Sequence, residues 1–252
     1  MSGFSGAMIL ITGAASGIGA ASALRLAEAG ARLILSDRDE AALSAFAASV
    51  GDGHRQLVGD VADESFWKSA DLAGLTHALV NAGIGAGGPI ESLDFAEWRR
   101  VLSINLDGAF LTLQAAMRAI RATARGGAIV LTASAAGVKA EPGIAAYGAS
   151  KAAVIHLAKI AAKEGAGANI RVNAIAPGGV ETPIWSDLPF FRDLVASTGS
   201  EAAAYEAMAK MATPLGRYAR PEEIAAQIAF LLSDEAAYIT GACLVADGGY
   251  SL

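Results

Sequence analysis

Residues 8–19 read Met-Ile-Leu-Ile-Thr-Gly-Ala-Ala-Ser-Gly-Ile-Gly. A short apolar run, Met8–Ile11, meets a glycine-rich turn, and an Ala-rich stretch with helical spacing follows from Ile18. That order predicts a strand, a tight turn and a helix. Glycines in such a turn let the backbone approach a phosphate, and the positive end of the helix is directed at its charge. The spacing is Gly13-x3-Gly17-x-Gly19, not the G-x-G-x-x-G of the usual dinucleotide turn. The glycines alone are a weak signal; their place between a strand and a helix strengthens it.

The unit then repeats. Apolar runs at Arg32–Leu35, Gln56–Val58, His77–Val80, Ala128–Leu131, Arg171–Ile175 and Cys243–Val245 predict six further strands. Segments with helical spacing lie between them: Ile18–Ala29, Glu40–Ser49, Glu64–Ala70, Phe95–Ala122, Ala146–Gly165 and Pro221–Ser233. Strands that alternate with helices pair in parallel, because each returns to the same edge through a crossover. The runs are apolar almost throughout, which suits strands covered on both faces. The expectation is an α/β protein with a Rossmann-type doubly wound parallel sheet, about seven strands with helices on both faces. No Gly/Ser linker or charge run divides residues 1–252, so one domain is expected. Asp94 with Glu97 three residues on predicts a capping box before Phe95. Residues 183–213 break the rhythm and carry large apolar side chains between Pro183 and Pro214, which predicts a substrate lid.

Composition narrows the function. With 54% hydrophobic and 17% charged residues, the chain has material for a continuous core and lacks the signature of disorder. Its net charge of −6 comes without a Lys/Arg run, so no nucleic-acid partner is expected. The one cysteine, Cys243, allows neither an intrachain disulfide nor a cysteine-rich zinc site. No His/Asp/Glu group has ligand spacing, so no metal is expected. Met1 to Leu24 is uncharged, yet only Ala7–Ile11 is continuously apolar and no Lys or Arg precedes it. Neither a signal peptide nor a membrane span fits. The expectation is a soluble cytoplasmic protein.

Polar residues collect at the carboxyl ends of the predicted strands. Asp37 ends the second strand, 18 residues after Gly19. A carboxylate there accepts from both hydroxyls of an adenosine ribose and repels a 2′-phosphate, which favours NAD over NADP. Arg38 pulls the other way, because a guanidinium pairs with phosphate. Asp60 ends the third strand and Asn81-Ala82-Gly83 the fourth.

Tyr147 and Lys151 are four apart in a predicted helix, so they share a face. A phenol that works as a base near neutral pH must lose about 2–3 units of pKa, roughly 3–4 kcal/mol. A cation ~4 Å away at an effective dielectric near 20 supplies about 4 kcal/mol. Ser134, just past the fifth strand, offers a hydroxyl to hold a substrate oxygen. A serine nucleophile is the competing idea, and it lacks the Gly-x-Ser-x-Gly elbow. His54, His77 and His156 have no clear carboxylate partner and read as structural.

Taken together these residues resemble the short-chain dehydrogenase/reductase family, in its branch of ~250 residues. The resemblance spans essentially the whole chain: Thr12-Gly13-x3-Gly17-Ile18-Gly19, Asn81-Ala82-Gly83, Asn105, Ser134, Tyr147-x3-Lys151, Pro177-Gly178 and Thr182 fall in family order. It implies Tyr147 as general acid/base, Lys151 binding the nicotinamide ribose and lowering the tyrosine pKa, and Ser134 orienting the substrate oxygen. Asn105 would hold a water that relays protons. Gly13, Ser16, Gly17, Ile18 and Gly19 would cradle the pyrophosphate, with Asp37 and Arg38 at the ribose. Asp60 and Val61 would meet the adenine, and Asn81, Ala82 and Gly83 would line the cofactor. Pro177, Gly178, Val180 and Thr182 would flank the nicotinamide. Two departures stand out: Val80 replaces the family's first Asn, and the helix between Asp60 and Asn81 is short by a turn or two.

The expected activity is NAD-dependent interconversion of a secondary alcohol and its ketone. The alternatives are an NADP-dependent 3-oxoacyl thioester reductase and a non-catalytic dinucleotide sensor. Ala136, Val138, Gly143, Gly179, Trp185, Leu188, Phe190, Phe191, Met208 and Met211 are candidate pocket walls and suggest an apolar small-molecule substrate. Ordinary lid packing competes as the role of Trp185 and the two Phe. Glu141 has two readings, a contact for a polar substrate end and an exposed loop carboxylate, and the second is favoured. The resemblance further implies a homotetramer built through the helices at Phe95–Ala122 and Ala146–Gly165.

Overall fold

In the computed structural model, which describes residues 3–186 and 188–252, the seven predicted strands form one parallel sheet. They are β1 (Met8–Thr12), β2 (Arg32–Asp37), β3 (Arg55–Val58), β4 (His77–Val80), β5 (Gly127–Thr132), β6 (Ile170–Pro177) and β7 (Cys243–Ala246). Their order is β3-β2-β1-β4-β5-β6-β7. The winding reverses between β1 and β4, and a crevice opens there at the carboxyl ends of the strands.

The helices are α1 (Gly17–Glu28), α2 (Glu40–Val50), α3 (Glu64–Ser69), α4 (Phe95–Leu102), α5 (Gly108–Thr123), α6 (Ala145–Gly165), α7 (Pro189–Thr198), α8 (Glu201–Ala212) and α9 (Pro221–Leu232). Alternate strand residues feed two cores. Ile9, Ile11, Leu33 and Leu35 pack against Ala23 and Leu26 of α1 and Ile224 and Ile228 of α9. Leu10, Ile34, Ala78 and Val80 pack against Leu113 and Ile120 of α5 and Val154 and Ala158 of α6. Each fully buried Leu or Ile contributes about 1.5–3 kcal/mol, so the sheet is held from both sides. The edge strands are the exception, with Gln56 and Val58 of β3 and Val245 of β7 exposed.

Three local expectations differ from the structure. The helix predicted over Phe95–Ala122 is broken by a wide π turn at Ser103–Asp107, where the Gly108 N–H bonds to the Ser103 carbonyl oxygen. The capping box at Asp94 is half formed. Asp94 accepts from the Ala96 N–H at 2.9 Å, but Glu97 turns to Arg100 in a two-pronged ion pair with both bonds at 2.7 Å. The stretch predicted as a lid contains two helices, α7 started by Pro189 and α8 capped by the Ser200 hydroxyl. Asp187, within that stretch, lies outside the described residues. The short α3 leaves a groove of about 700 Å³ against α5, edged by Lys68, Arg118 and Arg125. No helix among the described residues is long and apolar enough to cross a membrane.

Candidate active site

The turn after β1 is shaped for close approach. Gly13 and Gly17 take positive φ, +64° and +53°, and a Cβ on Gly19 would run into the Gly13 carbonyl oxygen. Ser16 precedes α1 without capping it through its side chain, so the helix start is left to another acceptor. Asp37, at the end of β2, accepts from the Ala15 N–H at 3.1 Å and the Asp39 N–H at 3.2 Å. Its carboxylate is thereby fixed beside the glycine turn and has lone pairs to spare. Arg38 is exposed. This cradle fits the pyrophosphate and ribose of a dinucleotide.

Asn81 joins three strand ends. Its N–H bonds to the Thr12 hydroxyl at 3.0 Å, its amide donates to the Thr12 carbonyl oxygen at 3.1 Å, and it accepts from Thr132 at 3.1 Å. Val80, the departure from the family pattern, is a core residue. Asp60 is exposed and accepts the Ala62 N–H, whereas Val61 is buried and its carbonyl oxygen takes the Trp67 indole N–H.

Asn105 lies in the π turn and is 1% exposed. It exchanges two hydrogen bonds with the backbone of Ile84, at 2.8 and 3.0 Å, and donates to Ser150 at 3.3 Å. A Cβ on Gly83 would stand 3.2 Å from its oxygen and 3.3 Å from the Lys151 ammonium, so Asn105, Gly83 and Lys151 meet at one point.

Ser134, Tyr147 and Lys151 converge at the ends of β5 and α6. The phenol of Tyr147 lies beside the Ser134 hydroxyl, which favours its ionised form. The Lys151 ammonium lies 5.7 Å from the phenol ring centre and donates to the Thr132 carbonyl oxygen at 2.9 Å. Burial lowers the lysine to about 8. The tyrosine shifts against the sequence expectation. Burial pushes its phenol up, the Ser134 hydroxyl pulls it part of the way back, and Lys151 is not among the influences that lower it.

The segment after β6 crosses the crevice. Pro177 and Val180 are buried, and Thr182 packs its methyl 3.2 Å from the Cβ position of Gly17. Gly178 sits against Asp247, and a side chain on Gly179 would strike the Tyr218 ring. Of the candidate pocket walls, Trp185 stacks on Tyr218 at 5.6 Å and donates to the Val180 carbonyl oxygen at 2.8 Å. Leu188 packs on the same cluster. Phe191 and Met208 are buried in a small separate core with Tyr205, between α7 and α8. Ala136 and Gly143 are half-buried beside Ser134 and Tyr147 in the chain, and Val138 and Phe190 are exposed. Met211 points to solvent at 87% exposure and is not brought to the others. Glu141 is half-buried and paired with Lys139, contrary to the expectation of an exposed carboxylate. Sequence spacing missed Thr132, Ile84, Tyr205, Tyr218 and Tyr250, which act through backbone carbonyls or across long separations.

Two of the three histidines are used internally: His54 accepts the Leu33 N–H at 3.1 Å, and half-buried His77, held down to about 4 mainly by desolvation, packs edge-on against Phe4; His156 is exposed on α6. Among the described residues no His/Cys/Asp/Glu group is placed to hold a metal ion.

A crevice with a glycine cradle at one end and a buried Ser–Tyr–Lys group at the other defines a dinucleotide-dependent oxidoreductase of the short-chain type. The family described as enoyl-(acyl carrier protein) reductase matches residues 13–251. The chain is 40% identical to cis-4-hydroxycyclohexanecarboxylate dehydrogenase of Sinomonas cyclohexanicum, over 98% of each. It is 38% identical to a 3-oxoacyl-[acyl-carrier-protein] reductase of Thermotoga maritima, over 97% of each. A crystal structure of a short-chain type dehydrogenase/reductase from Mycobacterium marinum superposes with a TM-score of 0.87 at 35% identity, over 99% of this chain and 97% of that one. The chain belongs to the short-chain dehydrogenase/reductase family.

Proposed function

We propose that the protein is an NAD-dependent dehydrogenase that interconverts a secondary alcohol and its ketone, with residues 183–213 as the substrate lid of one catalytic domain. The observation that carries this reading is the half-buried phenol of Tyr147 beside the Ser134 hydroxyl, with the ammonium of Lys151 on the same helix face. When bound, the oxidised nicotinamide accepts hydride and adds a second positive charge near the phenol. Tyr147 takes the hydroxyl proton of the alcohol, and in the reverse direction returns it to the carbonyl oxygen. Ser134 holds that same oxygen, which fixes the reacting carbon in place. Lys151 binds the ribose next to the nicotinamide, and its charge favours the ionised phenol. Asn105 and Ile84 keep the loop after β4 against Lys151. Asp37 selects the unphosphorylated ribose, and the lid aromatics exclude water.

Assembly belongs to the same proposal. Phe110 and Ile160 are exposed on the outer faces of α5 and α6, at 45% and 44%, and flank a shallow apolar groove. A homotetramer that pairs these helices would cover them. A cytoplasmic location suits a chain with a single, unpaired cysteine.

A second reading, NADP-dependent reduction of a 3-oxoacyl thioester, draws on Arg38 and on the Thermotoga maritima relative. A panel of secondary alcohols assayed with NAD and NADP, read by absorbance of the reduced cofactor, decides between them. Turnover with NAD supports the first reading; turnover confined to NADP and acyl thioesters supports the second.

A further inference from the structure

The loop after β5 carries a polar cluster that the reacting residues do not use. Lys139 stands five residues past Ser134, on the turn that Ser134 caps, and its N–H bonds to the Ala135 carbonyl oxygen at 2.8 Å. Its ammonium lies 3.3 Å from the Glu141 carboxylate, 3.1 Å from the Tyr250 carbonyl oxygen and 4.3 Å from the centre of the Tyr250 ring. The Tyr250 hydroxyl stands beside the Glu141 carboxylate and holds its pKa below the usual range, with Lys139 adding to this.

The cluster is built rather than loose. Asp247 accepts the Gly249 and Ser251 N–H groups, each at 2.9 Å, and so fixes the turn that presents Tyr250. The Leu215 N–H bonds to the Gly248 carbonyl oxygen at 3.1 Å and ties that turn to the end of the lid. Burial first and the Glu141 carboxylate next keep the Tyr250 phenol protonated, and Tyr218, stacked on Trp185, adds to this. Loops following β5, β6 and β7 therefore meet at the same sheet edge as Tyr147.

Resting on the alcohol dehydrogenase reading above, we propose that Glu141 and Tyr250 form the far end of the substrate site and select an alcohol that bears a second hydroxyl. A hydroxyl matches this pair because it can donate to the carboxylate and accept from the phenol. A substrate carboxylate would meet Glu141, with Asp247 close by in the chain, and be repelled. A purely apolar substrate would strip water from Glu141 and offer no bond in return. Lys139 offsets the charge of Glu141 and holds it in place. The substrate class is a diol or polyol in preference to a monohydric alcohol.

The test compares kcat/KM for cyclohexanol and the 1,2-, 1,3- and 1,4-cyclohexanediols, with NAD and NADP in parallel. In the wild type at least one diol should exceed cyclohexanol by about tenfold or more, the scale of a charge-assisted hydrogen bond. Glu141→Gln should bring that ratio close to parity. Tyr250→Phe, which removes one oxygen atom, should move it in the same direction. A merely structural role would lower all substrates together and keep the ratio. An unchanged ratio in both variants, or a wild-type preference for cyclohexanol, overturns the diol proposal and leaves alcohol oxidation standing. No turnover of any of the four alcohols removes both.

Discussion

The ammonium of Lys151 is hydrogen-bonded to the carbonyl oxygen of Thr132 at 2.9 Å, inside a site where the lysine is 4% exposed. The last residue of a core strand thus holds the charge next to the Tyr147 phenol. The lysine cannot swing away without leaving that carbonyl, and itself, unpaired in a buried place.

Burial of that ammonium gives a pH signature. Lys151 titrates near 8 in the folded chain against 10.5 unfolded. Between those values the unfolded state holds more protons, so stability contributed by this group rises with pH. Relative to Lys151→Met, the wild type should gain up to about 3 kcal/mol across that window. Denaturant unfolding of both proteins at several pH values measures it. A difference independent of pH would mean that the ammonium is solvated.

Tyr147→Phe keeps the ring and removes the proton carrier. We expect kcat to fall by about 10³-fold, the scale of general acid–base catalysis. Dinucleotide affinity, followed by quenching of tryptophan fluorescence, should hold. Wild-type turnover in the variant would end the proposed mechanism.

Asp37→Ala removes the carboxylate that would face a 2′-phosphate. The ratio of kcat/KM with NADP to that with NAD should rise by about tenfold or more. An unchanged ratio would assign cofactor choice to other residues, with Arg38 first among them.

Tyr205→Phe frees the Thr182 carbonyl oxygen, which the tyrosine hydroxyl bonds at 3.1 Å from α8. Stability should drop by about 0.5–1.5 kcal/mol. KM for the cofactor should rise more than kcat falls, because Thr182 is proposed to flank the nicotinamide. Steady-state kinetics and thermal unfolding check both halves.

Phe110→Glu places a charge on the exposed apolar face of α5 and α6. If a second copy covers that face, light scattering should show a smaller assembly than the wild type. An unchanged mass would move the contact elsewhere.

The strands were legible because a sheet covered on both faces needs apolar runs, and those runs are short and separated. Some carboxyl ends were read one or two residues early: Thr12, Thr132 and Pro177 look like turn residues, yet each still belongs to a strand. Ser134, Tyr147 and Lys151 were legible from spacing and order. The Thr132 carbonyl was not, since a backbone acceptor leaves no mark in the side-chain pattern. The two helices within residues 183–213 escaped because the packing of Phe191 on Tyr205 leaves no mark in the linear pattern. Tyr250 escaped for a different reason: more than a hundred residues separate it from Lys139, and only the closure of the sheet brings them together.

The wide turn at Ser103–Asp107 also sets the angular phase between α4 and α5. Each residue of a regular helix rotates the chain by about 100°. Deleting one residue there would restore regular winding and swing Val101 and Asn105 around the axis relative to Ala109 and Leu113. Either the amide would leave Ile84 or the apolar stripe would leave the sheet. The extra residue lets one continuous rod serve two masters, a polar anchor upstream and a greasy seam downstream, and a straightened rod grafted in its place would satisfy only one of them.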